Sequence, residues 1–111
     1  MLKKHERYNM FESIQWLEKE GRGNPAGLTL LTLSTCGFCK SARRYLEERG
    51  LAFRYLELNT ISPEDKTAIK EEFRAKFERR PSFPTLIIEE NRFLVGFNKE
   101  QWDEEIFPDN A

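Results

Sequence analysis

Residues 28–50 read LTLLTLSTCGFCKSARRYLEERG, a stretch that changes character twice. Residues 28–33 form an apolar run punctuated by threonine and of strand length, the pattern of a strand covered on both faces. From Lys40 the period becomes helical. Ala42, Tyr45, Leu46 and Arg49 fall at three- and four-residue steps, and Gly50 is a natural stop. Between the two lies Cys36-Gly37-Phe38-Cys39, which holds the chain's two cysteines. The reading is strand, short turn and helix, with Cys36 at or just before the helix start and Cys39 in its first turn.

That placement has chemical consequences. Backbone N–H groups at a helix start have no intrahelical partner, and the helix dipole favours an anion, so the place favours a thiolate over a thiol. Lys40 and Arg43 add nearby positive charge. Cys36, the more exposed of the pair, is the expected attacker on a disulfide, and Cys39 the thiol that resolves the mixed disulfide. The reaction leaves Cys36–Cys39 oxidised, so a separate reductant must restore it. A structural zinc ion would use the same spacing, but it needs four ligands and His5 is the one further His or Cys. Two inert thiols would have no reason to share a helix start.

At 111 residues the chain is expected to be one domain with its own core. A formal net charge of −1 gives no bulk electrostatic case for nucleic acid or a membrane surface. Charged residues make up 33% of the chain, as expected of a well-solvated surface, and no apolar run approaches the roughly 20 residues of a membrane span. MLKKHERYNM at residues 1–10 lacks the apolar core of a signal peptide, so the expected compartment is the cytoplasm. There a Cys-x-x-Cys beside a strand–helix unit is redox-active rather than structural.

Before the central stretch, residues 6–20 carry an amphipathic helical pattern. Met10, Ile14 and Leu17 share a face and Phe11 flanks it. An extra helix capping the domain is expected there, followed by a loop at residues 21–27, GRGNPAG.

After it, residues 51–58 (LAFRYLEL) read as a strand, with Phe53, Tyr55 and Leu58 pointing one way and Leu56 the other. The short return predicts a right-handed parallel crossover. Residues 59–61 connect to a helix start with Ser62 as N-cap, Pro63 in the first turn and acids following. Ile69, Phe73 and Phe77 form its stripe, and residues 76–80 make its end basic. Residues 86–88 and 92–95 read as strands joined by a tight turn at 89–91, hence an antiparallel hairpin. Asn98 caps a last helix over residues 99–107, with Trp102 and Ile106 facing inward. One mixed sheet flanked by helices accommodates this order.

The same order, with TCGFCK at residues 35–40, SFPT at 82–85 and VGF at 95–97, resembles the thioredoxin fold in its short, glutaredoxin-like form over residues 28–107. The motifs are similar to those of small prokaryotic glutaredoxins and of the glutaredoxin-like hydrogen donors of ribonucleotide reductase. The resemblance implies an α/β fold with a mixed four-stranded sheet, to which an extra N-terminal helix is added. Residues 1–27 would be helix and loop ahead of a glutaredoxin-like domain at residues 28–111, the whole forming one compact domain. It further implies a cis Pro84 next to Cys36, with the Phe83 backbone free to pair with an extended substrate segment. Catalysis would fall to Cys36 and Cys39, and substrate contacts to Phe38, Lys40, Phe83, Pro84, Gly96 and Asn98.

This chain departs from the glutathione-using members at several places. They carry Lys or Arg just upstream of the motif, where Leu33 and Ser34 stand, and Pro-Tyr where Gly37 and Phe38 stand. They also carry Gly-Gly and then Asp, where this chain has Gly96, Phe97 and Asn98. Lys40, Arg80 and Lys99 are candidate replacement cations, and Asn98 a candidate hydrogen-bonding group. CGF is shared with single-cysteine glutaredoxins that hold an iron–sulfur cluster between two subunits; Cys39 stands where those have Ser and restores a dithiol. CKSARRYLEERGL also resembles the first helix of the arsenate-reductase-like branch, against which SFPT followed by VGF argues. The resemblance therefore implies a monomeric thiol–disulfide oxidoreductase acting on protein or mixed disulfides. It would have no tightly bound cofactor, and glutathione or a dedicated reductase would be the electron donor. The alternative is a carrier or sensor holding a [2Fe–2S] cluster through Cys36 across a dimer. Neither nucleic acid nor membrane is expected as a partner.

Overall fold

The computed structural model describes residues 8–22 and 27–107. Along them run β1 (Leu17–Lys19), β2 (Leu28–Thr32), α1 (Gly37–Glu48) and β3 (Phe53–Glu57). A single 3-10 turn (Leu58–Thr60), α2 (Pro63–Phe77), β4 (Thr85–Ile88), β5 (Arg92–Val95) and α3 (Lys99–Ile106) follow. Every residue of β2 is buried, its two threonines included, as expected of a strand covered on both faces. β2 pairs in parallel with β3 and antiparallel with β4, giving the sheet order β1-β3-β2-β4-β5.

Local signals set the helix ends. The Ser62 hydroxyl accepts from the Asp65 N–H at 3.1 Å and opens α2 with Pro63 in its first turn. α2 ends at Glu78, in left-handed backbone with φ 60°. The β4–β5 hairpin turns through Glu89 and Glu90, also in left-handed backbone.

Alternation along the strands sends side chains to two apolar clusters, one on each face of the sheet. Leu28, Leu30, Phe53 and Tyr55 pack with Tyr45 and Leu46 of α1 and with Trp102 and Ile106 of α3. Leu31, Leu56 and Ile87 pack with Ile69 and Phe73 of α2. Leu58 joins this second cluster rather than the side of Phe53 and Tyr55, because the 3-10 turn that begins there ends the two-residue alternation.

Two expectations from the sequence are corrected. The sheet has five strands rather than four, because Leu17–Lys19 pairs antiparallel with Phe53–Tyr55 along the outer edge of β3. Across residues 8–20 there is accordingly no helix; residues 6 and 7 of that expectation lie outside the described residues, as do residues 23–26 of the following loop. Met10, Phe11 and Ile14 are buried together in the second of these clusters, so the apolar signal is real, but Leu17 is 51% exposed and does not join them. Distant carboxylates take the backbone donors that a helix would use. Glu90 accepts the N–H groups of Asn9 and Met10 at 2.6–2.8 Å, and Glu72 accepts that of Phe11 at 2.9 Å. Phe11 then turns through left-handed backbone, φ 58°.

Arg54 ties this segment to the sheet. It is 5% exposed and donates to Thr29 Oγ1 at 2.8 Å and to the Met10 carbonyl at 3.1 Å. Its guanidinium lies over the rings of Tyr8 and Trp16, at 3.9 and 4.4 Å, and 3.6 Å from Glu90. Burial pulls its pKa down to about 10, against the opposing pull of Tyr8 and Glu90. Glu90→Ala strips two N–H groups of their acceptor and leaves Arg54 without its carboxylate. The expected loss is about 3 kcal/mol of stability, read from the urea midpoint. Among the described residues no helix is long and apolar enough to cross a membrane.

Candidate active site

Register brings the candidate residues to one end of the sheet. Thr32 at the end of β2 lies opposite Glu57 at the end of β3, Leu31 opposite Thr85 at the start of β4, and Thr85 opposite Val95 at the end of β5. The turn into α1, Pro84 and Gly96 therefore all leave the sheet at the same end.

Cys36 is the N-cap of α1, in extended backbone with φ −100° and ψ 115°. Its sulfur accepts the Cys39 N–H at 3.1 Å, so an otherwise unpartnered helix donor points at the sulfur. Ser34 and Asn59 clamp the turn leading to it. The Ser34 N–H donates to Asn59 Oδ1 at 2.9 Å, and Asn59 Nδ2 donates to Ser34 Oγ at 2.6 Å. In the sequence Asn59 stands in a plain connection; a side chain bonding back to a turn more than twenty residues earlier leaves no local pattern.

The two sulfurs sit in different surroundings. Cys36 is half-buried and Cys39 is 2% exposed. Burial first, and then its hydrogen bond to Cys36, pushes the Cys39 thiol up to about 12, with the Leu33 backbone pulling the other way. At neutral pH Cys39 is therefore held as a thiol. Lys40 and Arg43 line a small cleft against Cys39, and Arg43 also reaches Glu47 at 3.3 Å and lies over the Tyr55 ring. Phe38, between the cysteines, is 71% exposed, a large ring held in solvent at the rim of the site.

The SFPT loop faces the same end. The Phe83–Pro84 peptide is cis. The Pro84 carbonyl accepts the Gly96 N–H at 2.8 Å, while Thr85 Oγ1 accepts the Ser82 N–H at 3.2 Å and donates to the Ser82 carbonyl. Among the described residues nothing pairs with the Phe83 backbone. Gly96 has φ +72°, a conformation natural to glycine, and its carbonyl accepts the Trp102 indole N–H at 3.2 Å.

The remaining candidates are dispersed. Asn98 Oδ1 accepts the Gln101 N–H at 2.9 Å and caps α3, so the side chain already has a structural use. Of the three candidate cations, Lys40 stands by Cys39, and Lys99 lines a separate cleft of about 320 Å³ with Ser41, Arg44, Arg49 and Phe97. Arg80, exposed beyond the end of α2, lines neither. Among the described residues no three His, Cys, Asp or Glu side chains gather, so a cluster held through Cys36 would have to be shared with a second chain.

A family model described as glutaredoxin matches residues 28–93, more than half of the chain. The glutaredoxin of Methanosarcina mazei Go1 is similar in structure at a TM-score of 0.73 with 26% identity, over 85% of this chain and 89% of that one. The Methanosarcina acetivorans methanoredoxin gives 0.70 and 26%, over 78% and 90%. A glutaredoxin of Archaeoglobus fulgidus shares the fold at 0.63 and 22%, over 72% and 85%. No curated protein matches the chain significantly.

Proposed function

The chain belongs to the glutaredoxin family, and from that premise we propose that it is a cytoplasmic thiol–disulfide oxidoreductase reducing protein disulfides or mixed disulfides with the Cys36/Cys39 dithiol. One observation carries the reading. The half-buried sulfur receives a helix-start N–H, and its partner thiol is buried and protonated one turn behind it. That asymmetry supports the following order of events. Cys36 attacks the substrate disulfide as thiolate, one substrate sulfur leaves, and Cys39 displaces the other from the mixed disulfide.

The unpaired Phe83 backbone offers main-chain hydrogen bonds to an extended substrate segment, and Phe38 an exposed apolar surface beside the attacking sulfur. Pro84 and Gly96 complete that platform, joined to each other by their backbone bond. Glutathione or a dedicated reductase returns the electrons.

Equilibration in glutathione redox buffers, followed by alkylation and mass spectrometry, tests the reading. Cys36 and Cys39 are expected to pass from dithiol to disulfide together, in one two-electron transition. A transient glutathione adduct on Cys36 identifies glutathione as reductant, and exchange without one points to a reductase. Thiols that both stay reduced in strongly oxidising buffer would overturn the proposal.

A further inference from the structure

Resolution of the mixed disulfide makes a demand that Cys36 does not meet. Cys39 must lose its proton before its sulfur can attack, yet burial, which leads the upward push on this thiol and persists in the mixed disulfide, opposes that loss at pH 7. Against this sulfur lies a cleft of about 20 Å³, lined by Thr32, Leu33, Cys39, Lys40, Arg43 and Glu57. That is the room of one water molecule.

The groups around the cleft can be taken in turn. From the end of β2 comes Thr32, whose hydroxyl is spent on the Leu56 carbonyl at 2.8 Å, and just beyond it Leu33, whose side chain is apolar. From α1 come the cations Lys40 and Arg43, and a cation has no lone pair to take a proton; Cys36, the N-cap of α1, lies against Cys39 but not on the cleft. From β3 comes Glu57, the strand's last residue, brought there by its register opposite Thr32. Among the described residues its carboxylate makes no hydrogen bond and no ion pair. It is thus the one proton acceptor lining the cleft that has no other engagement.

We propose that Glu57 accepts the Cys39 proton through a single water held in this cleft, and so drives the resolving step. The assignment rests on the dithiol reading above. The proton moves from Cys39 Sγ to the water as the water gives one to Glu57. The Cys39 sulfur then bonds to Cys36 Sγ, and the bond between Cys36 and the substrate sulfur breaks. Its electron pair leaves on the substrate thiolate, which takes up a proton from solvent or from Glu57. The dithiol loses two electrons and the substrate disulfide gains them. In reverse, Glu57 returns a proton to the departing Cys39 thiolate.

The test follows reduced protein mixed with 2-hydroxyethyl disulfide, quenched in acid at intervals and weighed by mass spectrometry. The adduct on Cys36 and the internal disulfide are then counted separately. Glu57→Gln is expected to form the adduct at the unaltered rate but to resolve it about tenfold more slowly, or worse, at pH 7. Hydroxide substitutes for the missing base, so the gap should close as pH rises towards 10. Glu57→Asp should recover part of the rate. Equal resolution rates for E57Q and the unaltered chain, or a slowing that is the same at every pH, would overturn the assignment and leave the dithiol reading intact. An unaltered chain that never reaches the Cys36–Cys39 disulfide would overturn both.

Discussion

Cys36→Ser is expected to lower the rate of disulfide exchange by about a thousandfold or more, measured as reduction of a mixed disulfide at pH 7. The magnitude comes from what remains. Cys39 is the second sulfur, and it is both 2% exposed and pushed up to about 12. Burial keeps its thiolate fraction at pH 7 well below the few per cent of an ordinary free thiol. Part of the upward push comes from Cys36 itself, but burial leads it and survives the substitution. The variant is clean because the replaced residue is also an N-cap. Serine is among the best N-caps and keeps an acceptor for the Cys39 N–H, so α1 should start as before and the urea midpoint should hardly move. Lost exchange in a chain of unchanged stability then isolates the chemistry. Cys39→Ser makes the converse case: the first attack proceeds and the adduct on Cys36 accumulates. Substantial exchange by C36S would mean that Cys39 reaches substrate directly, and the assigned order of the two sulfurs would be wrong.

The sequence exposes what is set by neighbours in the chain. The change from strand to helical period at residues 28–50, the Ser62-Pro63 helix start and the β4–β5 hairpin are each decided within a few residues, and each stands in the structure. What it hides is set by register and by distant pairing. β1 is three residues long and exposed throughout, so it has no alternation to read. The helix expected around it failed because Glu90 and Glu72, some sixty to eighty residues away in the chain, take its backbone donors. Arg54, a charge in the middle of an apolar strand, was the local clue that the face over β3 is covered by something polar. Glu57 is equally bland in sequence, one acid near a strand end. Opposite Thr32 and across a one-water cleft from Cys39 it becomes a chemical group. The cysteines could be found from spacing, but the group that serves the second of them could not.

Trp102→Ala is expected to cost about 4 kcal/mol of stability, seen as a lower urea midpoint with little change in slope. Trp102 is fully buried on α3, and its ring meets Tyr45 and Phe97 edge-on at 5.9 and 5.0 Å. Truncation empties the largest side-chain volume in that cluster, and the flanking Tyr45 has little freedom to fill it, since its hydroxyl is held by Asp103. A domain of this size has about 5–15 kcal/mol of stability to lose, so the substitution should bring the chain close to unfolding. Trp102→Phe separates two causes. It keeps most of the apolar volume but not the indole N–H that donates to the Gly96 carbonyl, so a cost of about 1–2 kcal/mol is expected. The bond matters beyond its energy. Gly96 donates to the Pro84 carbonyl while accepting from Trp102, so α3 is coupled through one glycine to the loop that faces the cysteines. If volume governs, W102F keeps nearly all the exchange activity of the unaltered chain. If the Gly96 bond governs, W102F loses activity out of proportion to its stability, and the platform offered to substrate is held in place from the far side of α3.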